Sequence, residues 1–203
     1  MTFTTEQFNQ ILGIEDSYKA PEALLKIMLD REKRSETLDL LLGHENILDR
    51  DWFVDYFQEE HAERKRFDQD FTPTSVTNLL SGISGSGKTY FESAAGTGGL
   101  LVSAWNKHRI DAGPARFDPR KYWYQVEELS DRSIPFLLFN MSIRGMDGVV
   151  LHGDSLTNEF KNLYFVRNDT SDFMAYSEIH VIDIDSIPDM DKEWLGISQK
   201  ESG

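Results

Sequence analysis

Phe91-Glu92-Ser93-Ala94-Ala95-Gly96-Thr97-Gly98-Gly99-Leu100-Leu101 sets an acid, two alanines and a Gly-Thr-Gly-Gly turn directly ahead of an apolar run. The stretch reads as a strand, a tight loop and the start of a helix. Gly96, Gly98 and Gly99 let the backbone turn sharply and approach a ligand without a Cβ clash, and Glu92 offers a carboxylate to a cation or hydroxyl. A nucleotide-like ligand suits such a loop. Similar turns also join strands to helices for structural reasons alone, so the assignment depends on the surrounding chain.

From residue 71 onward the pattern alternates between strands and helices, which predicts a parallel sheet covered on its faces. Strands are expected near 89–94, 122–128, 148–153, 162–167 and 178–184, with helices at about 74–82, 98–109 and 132–144. In a doubly wound sheet ligands bind beyond the carboxyl ends of the strands, where each candidate motif falls. Residues 4–66 read as helices, capped by Thr4 or Thr5 and continuing after Pro21. Asp30-Arg31-Glu32-Lys33-Arg34 interrupts the apolar faces as a helix junction or exposed turn, and Gly43 marks a stop. Trp52, Phe53, Tyr56 and Phe57 form an aromatic stripe at helical spacing, which predicts core. The segment after Asp185 is acidic and reads as a tail or a short docking helix.

The 203 residues carry a formal net charge of -14 and no cysteine. Without cysteine there are no thiol nucleophiles, thiolate zinc sites or iron-sulfur clusters. The charge argues against broad, unaided binding to a phosphate backbone, which depends on Lys and Arg displacing counterions. Two basic islands, His61–Arg66 and Lys107–Lys121, read as solvated surfaces. The five histidines have no metal-ligand spacing. No stretch approaches the roughly 20 apolar residues of a membrane span, and the N-terminus lacks signal-peptide features, so a cytoplasmic protein is expected.

Phe71-Thr72-Pro73 precedes the glycine loop, and Val126-Glu127-Glu128-Leu129 and His152-Gly153-Asp154-Ser155-Leu156 follow it. In order and spacing this set resembles the S-adenosylmethionine (SAM) sites of adenine-specific DNA methyltransferases, particularly the modification subunits of type I restriction systems. Their segments read roughly FTP, DPAxGTGG, an acid and GDSL. The resemblance spans about residues 53–175. It implies an α/β class I SAM-methyltransferase sheet of Rossmann-like type, truncated, behind an N-terminal helical region. The expected divisions are 1–66 for the helical region, 67–185 for the methyltransferase-like domain and 186–203 for an acidic C-terminal tail.

The resemblance assigns SAM contacts residue by residue. Phe71, Thr72 and Pro73 match the segment covering the methionine end, and Ala94, Gly96, Thr97 and Gly98 match the cofactor loop. Glu92 stands where the family has aspartate. A carboxylate at the end of the next strand suits two ribose hydroxyls. Glu127 and Glu128 compete for that role; Glu128 is favoured because Leu129 and the residues after it then follow the family's register. Asp154, with Ser155, matches the position that accepts a hydrogen bond from the adenine amino group.

The catalytic turn of these enzymes, Asn-Pro-Pro-aromatic, has no intact counterpart. Asn168 and Asp169 occupy its place without the prolines, and Phe173 is the candidate for the stacking ring. Only 30 residues follow Phe173, too few for the family's later strands and target-recognition domain. The expectation is a SAM-binding protein related to DNA modification and restriction, which reaches DNA and any catalysis through a partner subunit. The alternative is a non-catalytic SAM-binding regulator or anti-restriction interaction protein. A third class comes from Gly82–Thr89, which satisfies the phosphate-loop pattern G-x-x-x-x-G-K-[ST]. That loop must follow a buried strand and open a long helix, whereas only six residues separate Thr89 from Gly96. It reads as a Gly/Ser connection ahead of the first strand, so a nucleotidase ranks last.

Overall fold

A computed structural model describes residues 4–54, 56, 87–172 and 174–197. The helix expected at 74–82, the Phe71-Thr72-Pro73 segment, Phe57, Phe173, the basic island at 61–66 and the phosphate-loop residues before Gly87 lie outside the described residues.

Helix α1 (Thr5–Leu12) opens with a capping box, in which the Thr4 hydroxyl and the Gln7 side chain each accept the other residue's backbone N–H, and stops at left-handed Gly13. Helix α2 (Ala20–Leu29) carries Pro21 in its first turn, where a missing N–H costs nothing. The expected junction after it narrows to Asp30, which caps the N-terminus of α3 (Arg31–His44) by accepting from Lys33 N. Arg31 to Arg34 are thus the first turn of a helix. Arg34 is buried at 2% exposure, donates to Met28 O at 2.6 Å and pairs with Glu178. The helix passes Gly43 by one residue before it ends.

The sheet comprises β1 (Thr89–Glu92), β2 (Trp123–Glu128), β3 (Gly148–Asp154), β4 (Glu159–Arg167) and β5 (Glu178–Ile182), in the spatial order β1-β2-β3-β4-β5. Helix α4 (Gly99–Ala112) connects β1 to β2, and α5 (Ile134–Ile143) connects β2 to β3. These crossovers make the first three strands parallel. Four residues separate β3 from β4, too few for a parallel crossover of a dozen or more. The chain therefore reverses, and β4 runs antiparallel to β3, as β5 does to β4. The fold is α/β, a five-stranded sheet with an N-terminal helical region, and the wholly parallel sheet expected from the pattern is corrected to a mixed one.

Every residue of α5 is buried. An all-round apolar helix is one covered on all sides, and α5 lies between the sheet and the N-terminal helices. Phe136 packs edge-on to Phe53 with ring centroids 4.7 Å apart, and Phe139 meets Phe53 at 4.9 Å. Phe8, Trp52, Phe53 and Tyr56 share one hydrophobic core with Val126, Val150 and Tyr164. The described part of the aromatic stripe is core. The N-terminal helices and the sheet are thus built around the same interior.

The opposite sheet face carries a second cluster. Val149, Leu151 and Leu163 pack with Ile187, Leu195 and Ile197, the last three contributed by and around α6 (Asp189–Leu195). The acidic C-terminal segment is therefore, through Ile197, a docked helix and not a tail. No helix among the described residues is long and apolar enough to cross a membrane.

A polar knot ties the N-terminal region to the sheet domain. Asn140 of α5 donates to Asp51 Oδ1 at 2.9 Å and to Thr97 O at 2.7 Å, while its Oδ1 accepts from Arg144 at 2.7 Å. Arg144, at the C-terminus of α5, also donates to Leu48 O and Arg50 O, at 2.9 and 2.7 Å. Asp51 further accepts from the Thr97 hydroxyl and from Phe53 N. Asp51→Ala strands these donors and should cost about 3 kcal/mol. Urea unfolding of the two proteins at pH 7 measures that loss.

Candidate functional site

The carboxyl ends of β1, β2 and β3 lie side by side, and three loops leave from them. Ala94 to Gly98 follow β1. Ala95 N donates to Glu127 O at 3.0 Å, and Gly96 N donates to Glu128 Oε2 at 2.6 Å. The other Glu128 oxygen accepts from Ser130 N at 2.7 Å. Glu128 thus ties the glycine loop to the start of the next loop, and a carboxylate with about four acceptor positions retains capacity beyond these two bonds. Gly98 stands at φ +100°, and a Cβ there would lie 3.0 Å from Leu137 Cδ1, so both the turn and its packing on α5 require glycine.

Glu92 ends β1 on the face shared with Tyr90, whose hydroxyl donates to it at 2.9 Å. Burial pushes the Glu92 carboxyl up to about 7, with the nearby Glu128 charge adding to the rise and the Tyr90 bond opposing it. Glu127 points to the opposite sheet face, since side chains alternate along a strand. It is only 6% exposed, and burial raises it above the ordinary carboxylate range. At the end of β3, Asp154 Oδ1 accepts from Leu156 N at 2.8 Å, and the Ser155 hydroxyl donates to Ser93 O at 2.8 Å. That last bond links the loops after β1 and β3 across the end of β2. Phe91, Leu129 and Leu156 stand 60%, 61% and 95% exposed on the same edge.

Of the residues proposed from sequence, Glu92, Ala94, Gly96, Thr97, Gly98, Glu128, Leu129, Asp154 and Ser155 occupy this edge or its loops. Phe71, Thr72, Pro73 and Phe173 fall outside the described residues. Asn168 and Asp169 do not join them. Because β4 is antiparallel, its end returns to the start of β3, where Asn168 N donates to Asp147. The length of β3, roughly 20 Å at ~3.3 Å per residue, separates this corner from Asp154.

Asn168 is 2% exposed, and its amide is spent on its own loop. Nδ2 donates to Asp172 O at 3.0 Å and Ala175 O at 3.3 Å, while Oδ1 accepts from Thr170 N at 3.0 Å and its hydroxyl at 2.8 Å. Asp169 pairs with Arg167. Asn168 and Asp169 therefore shape a loop at the opposite edge of the sheet. Met174 and Tyr176, just beyond, line a separate cavity of about 250 Å³ with Trp105, Arg109 and Ile143.

Several residues of the site escaped the sequence reading. Asp51 and Asn140 hold Thr97, and therefore the glycine loop, from positions 46 and 43 residues away along the chain. His152, 5% exposed and beside Glu128 in the β2–β3 register, places Nε2 3.0 Å from Asp131 Oδ1. Burial lowers its pKa. Among the described residues no group of three His, Asp or Glu is arranged to hold a metal.

Glu92 supplies a pH test. Its folded pKa of about 7 exceeds the unfolded value near 4.5, so the native state binds more protons between these values and loses stability as pH rises through them. Glu92→Gln should accordingly raise the melting temperature at pH 8 and much less at pH 5. Scanning calorimetry at the two pH values checks the difference.

Comparison with known proteins finds no match among curated sequences. Residues 50–177, more than half of the chain, match the family model described as N-6 DNA Methylase, covering the segment from Asp51 through the glycine loop, both acidic strand ends and β4. The chain belongs to the N-6 DNA methylase family.

Proposed function

We propose that the chain binds SAM at the carboxyl edge of β1, β2 and β3. The observation that carries this reading is the contact of Glu128 with Gly96, which brings the expected ribose-binding acid against the expected cofactor loop. The remaining residues fit the ligand's chemistry. Among the described residues nothing lies within 4 Å of where a Cβ at Gly96 would stand. Glu92, raised by burial, gains from a neighbouring positive charge, which the sulfonium supplies. Exposed Leu129 and Leu156 offer apolar surface to an adenine.

Methyl transfer to DNA is a different matter. A reacting nitrogen must be held in line with the methyl group, and small misplacements cost on the order of a hundredfold in rate. Asn168 stands at the far edge with its amide engaged, and the net charge of -14 disfavours capture of a phosphate backbone. We therefore read the chain as a SAM-binding member of the family that depends on a partner subunit of a restriction-modification system for DNA contact and for the groups that orient the target base. In dinucleotide-binding sheets of order 3-2-1-4-5-6 the ligand crevice lies beside the first strand, where the order reverses. Among the described strands β1 has β2 as its single neighbour, and its other flank is where a partner's groups would stand.

Isothermal calorimetry with SAM and with S-adenosylhomocysteine tests the site. Binding should be seen with the natural chain and fall at least tenfold in Glu128→Ala, which releases the glycine loop. No heat with either ligand overturns the proposal. Asn168→Asp should leave SAM affinity within about twofold while lowering stability by about 1–3 kcal/mol, the usual cost of an unsatisfied buried group. A loss of SAM binding in this variant with stability unchanged would place Asn168 back in the site.

A further inference from the structure

The two sheet faces differ at the carboxyl edge. Glu92 and Glu128 belong to the face that carries α4 and α5, whereas Phe91, Gln125 and Glu127 belong to the face that carries α6. On this second face Phe91, Glu127, Ser155, Glu193 and Trp194 line an open cavity of about 440 Å³. Its position is fixed from below. Gln125 Nε2 donates to Leu195 O at 2.9 Å, Leu195 and Ile197 are buried, and Trp194 packs against Trp123 with centroids 5.7 Å apart.

The lining has one consistent chemistry. Phe91 and Trp194 are large aromatic side chains left 60% and 65% exposed. Glu127 is 6% exposed, with the Ser155 hydroxyl as its hydrogen-bond partner and no cationic partner among the described residues; Glu193 adds a second carboxylate at the rim. Among the described residues no lysine or arginine lines the cavity. A buried carboxylate without a counter-charge is costly, and a cation against it offsets that cost. Aromatic faces attract cations through their quadrupoles, and quaternary ammonium groups, which cannot donate hydrogen bonds, are recognised mainly in this way.

We propose that this cavity is a binding site for a methylated organic ammonium ion, with the alkylated head against Phe91 and Trp194 and its charge facing Glu127 and Glu193. The site lies on the sheet face opposite Glu92 and Glu128, with Ser155 at the border of the two. It also gives α6 a role, since this helix lies beyond the family match at 50–177 and yet supplies Trp194 and Glu193.

Choline and its uncharged isostere 3,3-dimethylbutan-1-ol separate charge recognition from simple apolar filling. The full chain is titrated with each by calorimetry at matched ionic strength. Choline should bind at least tenfold more tightly than the alcohol. Trp194→Ala should weaken choline roughly two- to fivefold, the range for an exposed cation–π contact, and Glu127→Gln more strongly. Trp194 is mostly exposed, so its variant loses only a partial contact with Trp123 and should stay folded, and it decides the matter if Glu127→Gln unfolds. Glu128→Ala should leave choline affinity unchanged, which distinguishes this cavity from the SAM site. Absence of choline binding at tens of millimolar, equal affinity for the alcohol, or unchanged affinity in Trp194→Ala would overturn the proposal.

Discussion

One buried amide holds this protein together at the place where its parts meet. Asn140 receives the Arg144 guanidinium on its oxygen and gives its two N–H groups to Asp51 and to the backbone of Thr97. Each partner comes from a different part of the fold: the N-terminal region, the glycine loop, and the end of α5. Asp51 experiences two opposed effects, since burial raises its carboxyl while the bonds from Thr97, Phe53 and Asn140 and the charge of Arg144 favour its ionised form. Arg144 is held down to about 10 by the same burial. Such a network is stable only while every member is satisfied. The glycine loop is consequently positioned by residues far from it in sequence, and the N-terminal region contributes to its geometry through Asp51.

The reversal between β3 and β4 is the second constraint. It follows from chain length: four residues permit a hairpin and forbid a parallel crossover. Asn158, at φ +55°, takes the left-handed conformation that asparagine tolerates better than other non-glycine residues. Gly153 lets the two strands approach, since a Cβ there would lie 2.2 Å from Glu159 O. Strand β4 and the loop after it are thereby led away from the carboxyl edge. Asn168 becomes a loop organiser, and β5 with Glu178 is brought to Arg34, closing the sheet against α3.

The carboxyl edge concentrates acids in an already acidic chain. Glu92, Glu127, Glu128 and Asp154 all end strands there, and burial raises the first two. Backbone N–H groups of the glycine loop and of Ser130 compensate Glu128, and Leu156 N compensates Asp154. Glu92 and Glu127 each have a single hydroxyl partner, Tyr90 and Ser155, no cationic partner among the described residues, and lie on opposite faces of the sheet. The two faces thus share a buried acid but differ in surroundings: a glycine loop on one side and two exposed aromatic rings on the other.

Much of this was legible in the sequence because it depends on local rules. The alternation of short β-rich runs with apolar helical runs located the five strands and the helices α4 and α5 to within a few residues, and the glycine turn and the acids at strand ends marked one edge of the sheet. The family followed from the order of those motifs. The direction of β4 was also implicit, in a gap too short for a crossover, but motif matching aligned Asn168 by its place in the chain and took no account of that length. Other features had no local signal. Nothing near Asp51, Asn140 or Arg144 announces that they meet, because each looks like an ordinary polar residue until α5 is buried between the sheet and the helices. Likewise the cavity beside Glu127 exists only once α6 docks on the far face. Periodicity and turn chemistry are properties of neighbouring residues, and so the sequence by itself determined the elements and the loop. Burial and charge compensation depend on which elements share an interior, and only the tertiary structure decided those.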